Sequence, residues 1–191
     1  TFGLPIFKWE EAQKTAVDIS KWVNLSPDKT SILFCYSLGK AQRLLNEINK
    51  SNFKNKIYTH NSINKMNNCY RKLGIDFFET NKFDKTQNMD VYKGSLILLP
   101  PALHKESFLK RFKGIQTGFA SGWMSIRALR KRSGYDKGFA ISDHADWEAI
   151  LKTLKETEAK NVFFHHGDSE ALIRYLNEKN SINVLDFESK K

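Results

Sequence analysis

Two short segments concentrate the side chains that could do acid–base or metal chemistry. Ser142-Asp143-His144-Ala145-Asp146 sets a histidine between two carboxylates, directly after an apolar run. Flanking carboxylates favour the imidazolium and fix its tautomer, which suits a general acid or a group that stabilises a phosphate oxygen. The ordinary alternative is that Asp146 caps a helix beginning at Trp147 and that His144 is a loop histidine. His165-His166-Gly167-Asp168 closes a second apolar run. Adjacent strand residues point to opposite faces, so these two histidines do not serve one site together, and His166, beside the glycine turn, is the better placed to face a crevice. A lone histidine is a weak metal signal, because metal sites need several converging ligands. Of the five histidines, His60 ends another strand and is placed to touch a ligand, whereas His104, in Leu103-His104-Lys105-Glu106, reads as solvated surface.

A second group of residues suits phosphate binding. Arg127, Arg130, Lys131, Arg132 and Lys137 crowd the stretch just upstream of His144. Such a stripe neutralises phosphates, although a solvated helix face is the commoner outcome for a charge run. Ser121-Gly122-Trp123, immediately before it, offers backbone donors and a stacking ring. Ser37-Leu38-Gly39-Lys40 reads as a phosphate cradle at a helix N-terminus, with Ser37 and Lys40 as its polar contacts. It is not a P-loop, since the Gly-x4-Gly-Lys-Ser/Thr spacing is absent.

These segments fall at the ends of strands in an alternating pattern. Helical spacing of Ala12, Ala16, Ile19 and Val23 predicts a helix over 8–23, and 31–36 is an apolar run of strand length. A helix with Ala41, Leu44, Leu45 and Ile48 follows, then a strand over 56–59. The next helix carries Ile63, Met66, Tyr70 and Leu73 and ends at Gly74. Residues 79–93 are polar and read as a surface excursion. Strands over 95–99, 115–120 and 138–142 come next, then a helix from Trp147, a strand over 161–164, a helix with Leu172, Ile173 and Leu176, and a strand over 182–187. Strand and helix alternating with buried-type strands predicts an α/β fold, a parallel sheet flanked by helices. Ligands of such sheets bind beyond the C-terminal strand ends, where the polar turns lie.

Composition narrows the class. The 191 residues carry 31 Lys and Arg against 21 Asp and Glu, a formal charge of +10, which favours polyanionic partners and nucleic acid first. An apolar content of 40% excludes a disordered tail. No apolar run approaches the roughly 20 residues of a membrane span, and no membrane association is expected. Nothing at the N-terminus reads as a signal peptide, and two cysteines make no disulfide framework, so the expected setting is cytoplasmic.

Five segments, in order, resemble one family. Thr1-Phe2-Gly3-Leu4-Pro5, Tyr36 to Arg43, Phe119-Ala120-Ser121-Gly122-Trp123-Met124, Gly138 to Trp147 and His166-Gly167 are similar to the bacterial ligase-associated DNA exonucleases. Those belong to the β-CASP branch of the metallo-β-lactamase superfamily, with the endonucleases of mRNA 3′-end processing and the DNA cross-link repair nucleases. The resemblance implies a β-CASP domain over 1–125, followed over 126–191 by the C-terminal part of a metallo-β-lactamase αββα domain. It implies that His144, flanked by Asp143 and Asp146, assists phosphodiester cleavage and that His166 ligates zinc. Two zinc ions are implied for a full-length protein, with at most one ligand, His166, in this chain. The family's His-x-His-x-Asp-His motif is absent from these residues, and its first carboxylate motif would fall just ahead of Thr1.

The implied activity is zinc-dependent exonuclease action on DNA in repair and ligation, with an ATP-dependent DNA ligase and a helicase as implied partners. The chain on its own is expected to bind nucleic acid weakly without cleaving it. One departure is that His165-His166-Gly167-Asp168 is nearer the His-Gly-Glu of the RNA-processing branch, whereas the segment from Phe119 to Met124 pulls toward DNA. An RNA-processing endonuclease and a non-catalytic nucleic-acid-binding α/β module are the competing expectations.

Overall fold

A computed structural model describes residues 3–165, 169–179 and 182–185. The chain divides into two compact units: Trp9–Asp143, and the described residues of Thr1–Lys8 together with His144–Lys191.

The larger unit is built on β1 (Thr30–Phe34), β2 (Ile57–Thr59), β3 (Asn81–Lys82), β4 (Leu96–Leu99), β5 (Ile115–Ala120) and β6 (Lys137–Phe139). They form a six-stranded sheet in the order β3-β2-β4-β1-β5-β6, and every pairing is parallel. β1 and β4 are buried along their whole length, which is why they read as unbroken apolar runs. Their side chains alternate between two cores. Leu33, Leu96 and Leu98 pack with the helices α1 (Ala12–Asn24), α2 (Lys40–Lys50) and α3 (Asn61–Lys72). Ile32, Phe34, Ile97 and Leu99 face the other way, onto Phe83, Met89, Tyr92, Leu109 and Phe112.

That second core corrects the expectation for residues 79–93. Asn81–Lys82 adds an edge strand to the sheet, and Phe83, Met89 and Tyr92 are buried under it. Short 3-10 turns at Met89–Tyr92 and Ser107–Arg111 cover this face where a helix would stand in a doubly wound sheet. The expected end of α3 is observed. Gly74 takes a φ of +78°, the Gly74 N–H bonds to the Arg71 carbonyl and the Ile75 N–H to that of Tyr70, the paired closure that a left-handed glycine permits. The buried positions of that helix are Ile63 and Asn67, whereas Met66 is only partly covered and Leu73 is exposed.

The smaller unit contains α5 (Trp147–Glu156), β7 (Asn161–Phe163), α6 (Glu170–Lys179) and β8 (Asn183–Leu185). Trp147, Leu172 and Leu176 form its core, with Ile150, Leu151, Leu154 and Val184 packed on them. β7 and β8 pair in parallel, and Phe163 stands opposite Leu185 on the outward face, 55% and 45% exposed. The Trp147 N–H donates to the Phe7 carbonyl, which ties the N-terminal residues to this unit.

Candidate functional site

The C-terminal ends of the parallel strands carry Ser37 and Lys40 after β1, Ser121, Gly122 and Trp123 after β5, and Asp143 after β6. After β1 the chain turns through Ser37 and Gly39 into α2, where Gly39 takes a φ of +77°. A β-carbon on Gly39 would stand 3.0 Å from Asp143 Oδ2, so glycine serves both the backbone shape and the close approach. The Lys40 ammonium lies 2.7 Å from Asp143 Oδ1; the lysine side chain is 4% exposed and the carboxylate 38%. Arg43 donates to the carbonyl of buried Ser142. Two cations of α2 thus hold the strap that leads into His144. Lys40 also lies 5.0 Å from the Tyr36 ring.

The turn itself is held by groups that the sequence did not single out. The Gly39 N–H donates to Gln42 Oε1 at 2.8 Å, and Gln42 Nε2 donates to the Ser37 carbonyl and to Asn67 Oδ1. Gln42 and Asn67 are both buried. The one signal for them is a polar residue interrupting the apolar face of each helix. Ser37 Oγ meets Ser62 Oγ at 2.9 Å, and Ser62 Oγ meets His60 Nδ1 at 2.8 Å. The Ser62 N–H donates to that same Nδ1, which leaves the ring proton on Nε2. Burial, and then the charge of Lys85, hold the His60 pKa below its usual value. Cys35, wholly buried at the end of β1, has its thiol pushed up to about 12 by burial, with Lys40 opposing.

The β5–β6 edge carries the basic stripe. Ser121, buried after β5, accepts the Trp123 N–H on its Oγ, and its own N–H donates to the Phe139 carbonyl. Gly122 is buried and Trp123 is 41% exposed. Arg127, Arg130 and Lys131 lie on α4 (Arg127–Arg132), a single short helix with all three side chains at the surface. With Lys137 they line a shallow cavity of about 350 Å³. Gly138 lets Arg130 lie flat against β6, since a β-carbon there would stand 2.9 Å from Arg130 Cγ and 2.8 Å from Met124 Sδ.

His144 is exposed in the bend ahead of α5. Asp146 is the N-cap of that helix and accepts the Ala149 N–H on Oδ1 at 2.9 Å. His165 is exposed, and His166 lies outside the described residues. His104 is not solvated surface. It packs 4.0 Å from the Tyr135 ring and 5.1 Å from that of Phe34, and burial lowers its pKa.

The chain has a relative of much greater length. It is 27% identical over 181 residues to a protein of Opitutus terrae named "Probable DNA ligase". The matched region takes in 94% of this chain and spans 17% of the length of that relative. No family model matches the chain. Among the described residues no three His, Cys, Asp or Glu side chains come together as a metal holder. No helix among them is long and apolar enough to cross a membrane.

Proposed function

We propose that the chain is a nucleic-acid-binding part of a DNA-processing enzyme, a phosphodiester hydrolase of the β-CASP type that acts as an exonuclease in repair and ligation. On this reading the sheet unit is the β-CASP domain and the smaller unit is the C-terminal portion of a metallo-β-lactamase-like domain. The carrying observation is the exposed cationic surface of Arg127, Arg130, Lys131 and Lys137, along α4 and the start of the edge strand β6, with part-exposed Trp123 in the turn that precedes α4. Cations there neutralise phosphates and the indole offers a face to a base. The printed name of the relative, a DNA ligase, supports DNA over RNA. Ser37 and Lys40 take a different part in it. Lys40 spends its charge on Asp143, and Ser37 joins the chain to His60, so both shape the turn behind the surface.

His144 is the residue proposed to steady a scissile phosphate or its leaving oxygen, with Asp143 held by Lys40 on one side and Asp146 fixed as a helix cap on the other. Zinc, with His166 as a ligand, belongs to the full-length protein on this reading, and its other ligands come from outside this chain. A second reading, a non-catalytic DNA-binding module, is favoured by the structural partners that Asp143 and Asp146 already have. Fluorescence anisotropy with labelled single-stranded DNA, duplex DNA and RNA tests the binding. The expected result is salt-sensitive DNA affinity that falls at least tenfold in an Arg127→Glu, Arg130→Glu, Lys131→Glu variant; unchanged affinity in that variant overturns the proposal. Zinc-dependent cleavage by the full-length protein, lost on His144→Ala, selects the hydrolase over the module.

A further inference from the structure

A second cavity, of about 310 Å³, lies at the opposite edge of the sheet, beyond the ends of β2 and β3. Its wall combines His60, Lys82 and Lys85 with the rings of Phe83 and Phe108 and the side chain of Leu103. Both lysines are exposed, and among the described residues neither ammonium lies within ion-pair distance of a carboxylate. Of the two acidic residues on the wall, Asp84 is turned back on its own loop. Its Oδ1 accepts the Thr86 N–H at 2.9 Å and the Thr86 hydroxyl at 2.7 Å, and Glu106 is exposed to solvent.

The loop is held in shape before any ligand arrives. The Tyr92 hydroxyl exchanges hydrogen bonds with the backbone N–H and carbonyl of Asp84, and Arg111 donates to the carbonyls of Lys85 and Gln87. A wall that is already ordered loses little entropy on binding. Phe83 and Phe108 stand 5.8 Å apart at 41°, one buried and one partly open, so a flat ring has an aromatic surface to lie on. His60, with Nδ1 taken by Ser62, turns its Nε2–H to donation, the role a phosphate oxygen requires. The volume sits at the low end of small-ligand pockets, the size of a mononucleotide.

We infer that this cavity is a nucleotide site, with the phosphate on Lys82, Lys85 and His60 and the base against Phe108. The shared chemistry is a phosphate joined to a flat ring, whether free or as one residue of a strand. It lies at the other edge of the sheet from the α4 cations and stands without the catalytic reading above.

The test is amide NMR of the full chain titrated with deoxyadenosine monophosphate, deoxyadenosine and inorganic phosphate. The nucleotide is expected to shift the amides of 60–62 and 82–86 saturably, and to bind at least tenfold more tightly than either part. Lys82→Glu with Lys85→Glu, both at the surface, should lower that affinity at least tenfold. Phe108→Leu should remove the advantage over phosphate and leave phosphate binding intact. A short oligonucleotide that binds more tightly than the mononucleotide marks a strand residue as the source, and one that binds less tightly marks a free nucleotide. Shifts confined to 127–137, or an affinity indifferent to the lysine pair, overturn the inference while leaving DNA binding at α4 untouched.

Discussion

Lys40 Nζ and Asp143 Oδ1 meet at 2.7 Å across the larger unit, the ammonium buried and the carboxylate part-exposed. The burial is unequal, so the two ends of the pair are unequal in what they cost to remove. Asp143→Asn leaves a buried cation without its carboxylate and should lower stability by about 1–3 kcal/mol, whereas Lys40→Met leaves a carboxylate that water can reach and should lower it less. Urea unfolding of both variants checks the order. Equal losses would mean that the pair acts through packing alone.

The two glycines of the β5–β6 edge should respond differently to alanine. At Gly118 a β-carbon would meet Phe139, Leu33 and Trp22 at 3.0–3.1 Å, all packed in the core, so Gly118→Ala should cost about 1–3 kcal/mol. At Gly138 the clash is with Sδ of buried Met124 at 2.8 Å and with Cγ of the exposed Arg130 at 2.9 Å. Gly138→Ala should therefore lower the unfolding midpoint through Met124 and, unlike Gly118→Ala, also weaken DNA binding by displacing Arg130. Parallel thermal melts and anisotropy titrations separate the two effects.

Salt should set the DNA affinity. Removing one cation that neutralises a phosphate lowers the slope of log affinity against log salt by about 0.9 for duplex and about 0.7 for single strands. Arg127→Gln and Lys131→Gln are each expected to reduce the measured slope by close to one such step. A slope that neither variant moves would place the phosphate-binding surface elsewhere.

Asp146 offers a way to separate a cap from a catalytic carboxylate. Asp146→Ala removes the acceptor of the Ala149 N–H and should destabilise the smaller unit by about 0.5–2 kcal/mol. Asp146→Ser keeps a capping oxygen and should restore most of that. If cleavage by the full-length protein returns with serine, the carboxylate is structural; if stability returns without cleavage, its charge takes part in the reaction.

The pH range of stability follows from one buried and two part-buried groups. Cys35 titrates higher in the folded chain than its usual 9.0, so the folded state holds its proton longer, and the associated stability is complete below about pH 9 and lost as pH climbs toward about 12. His60 and His104 titrate below their usual 6.5, mainly through burial. Their contribution is complete above that value and is lost as pH falls through the folded pKa values. Melting temperature should therefore be highest between about pH 6.5 and 9 and fall on both sides. At pH 8 a thiol reagent should modify exposed Cys69 in the folded chain and reach Cys35 only on unfolding.

The fold was legible in the sequence where burial follows a period. Ile32 to Phe34 and Leu96 to Leu99 read as strands because both faces of the central strands are covered, and Gly74 marked the end of α3 because a left-handed turn selects for it. Phe83, Met89 and Tyr92 had no such period. They reach the core from a loop and a 3-10 turn, so a polar, Lys-rich stretch concealed three core residues. The candidate site divides the same way. Its turns could be located from strand ends, but the partner of Lys40 lies near the far end of its unit and that of Gln42 on another helix. Pairings across such separations leave no local trace.

The strand order carries a consequence for the timing of folding. β1 sits between β4 and β5, so Ser31 finds its neighbour only at Leu96 and Thr30 its other neighbour only at Ile115. A nascent chain leaving the ribosome must hold this wholly buried strand without a partner until Leu96 to Leu99 have been made. Contacts of such sequence separation slow folding. During synthesis Ile32, Leu33 and Phe34 stay uncovered until Leu99 has emerged, and the sheet should form only after that.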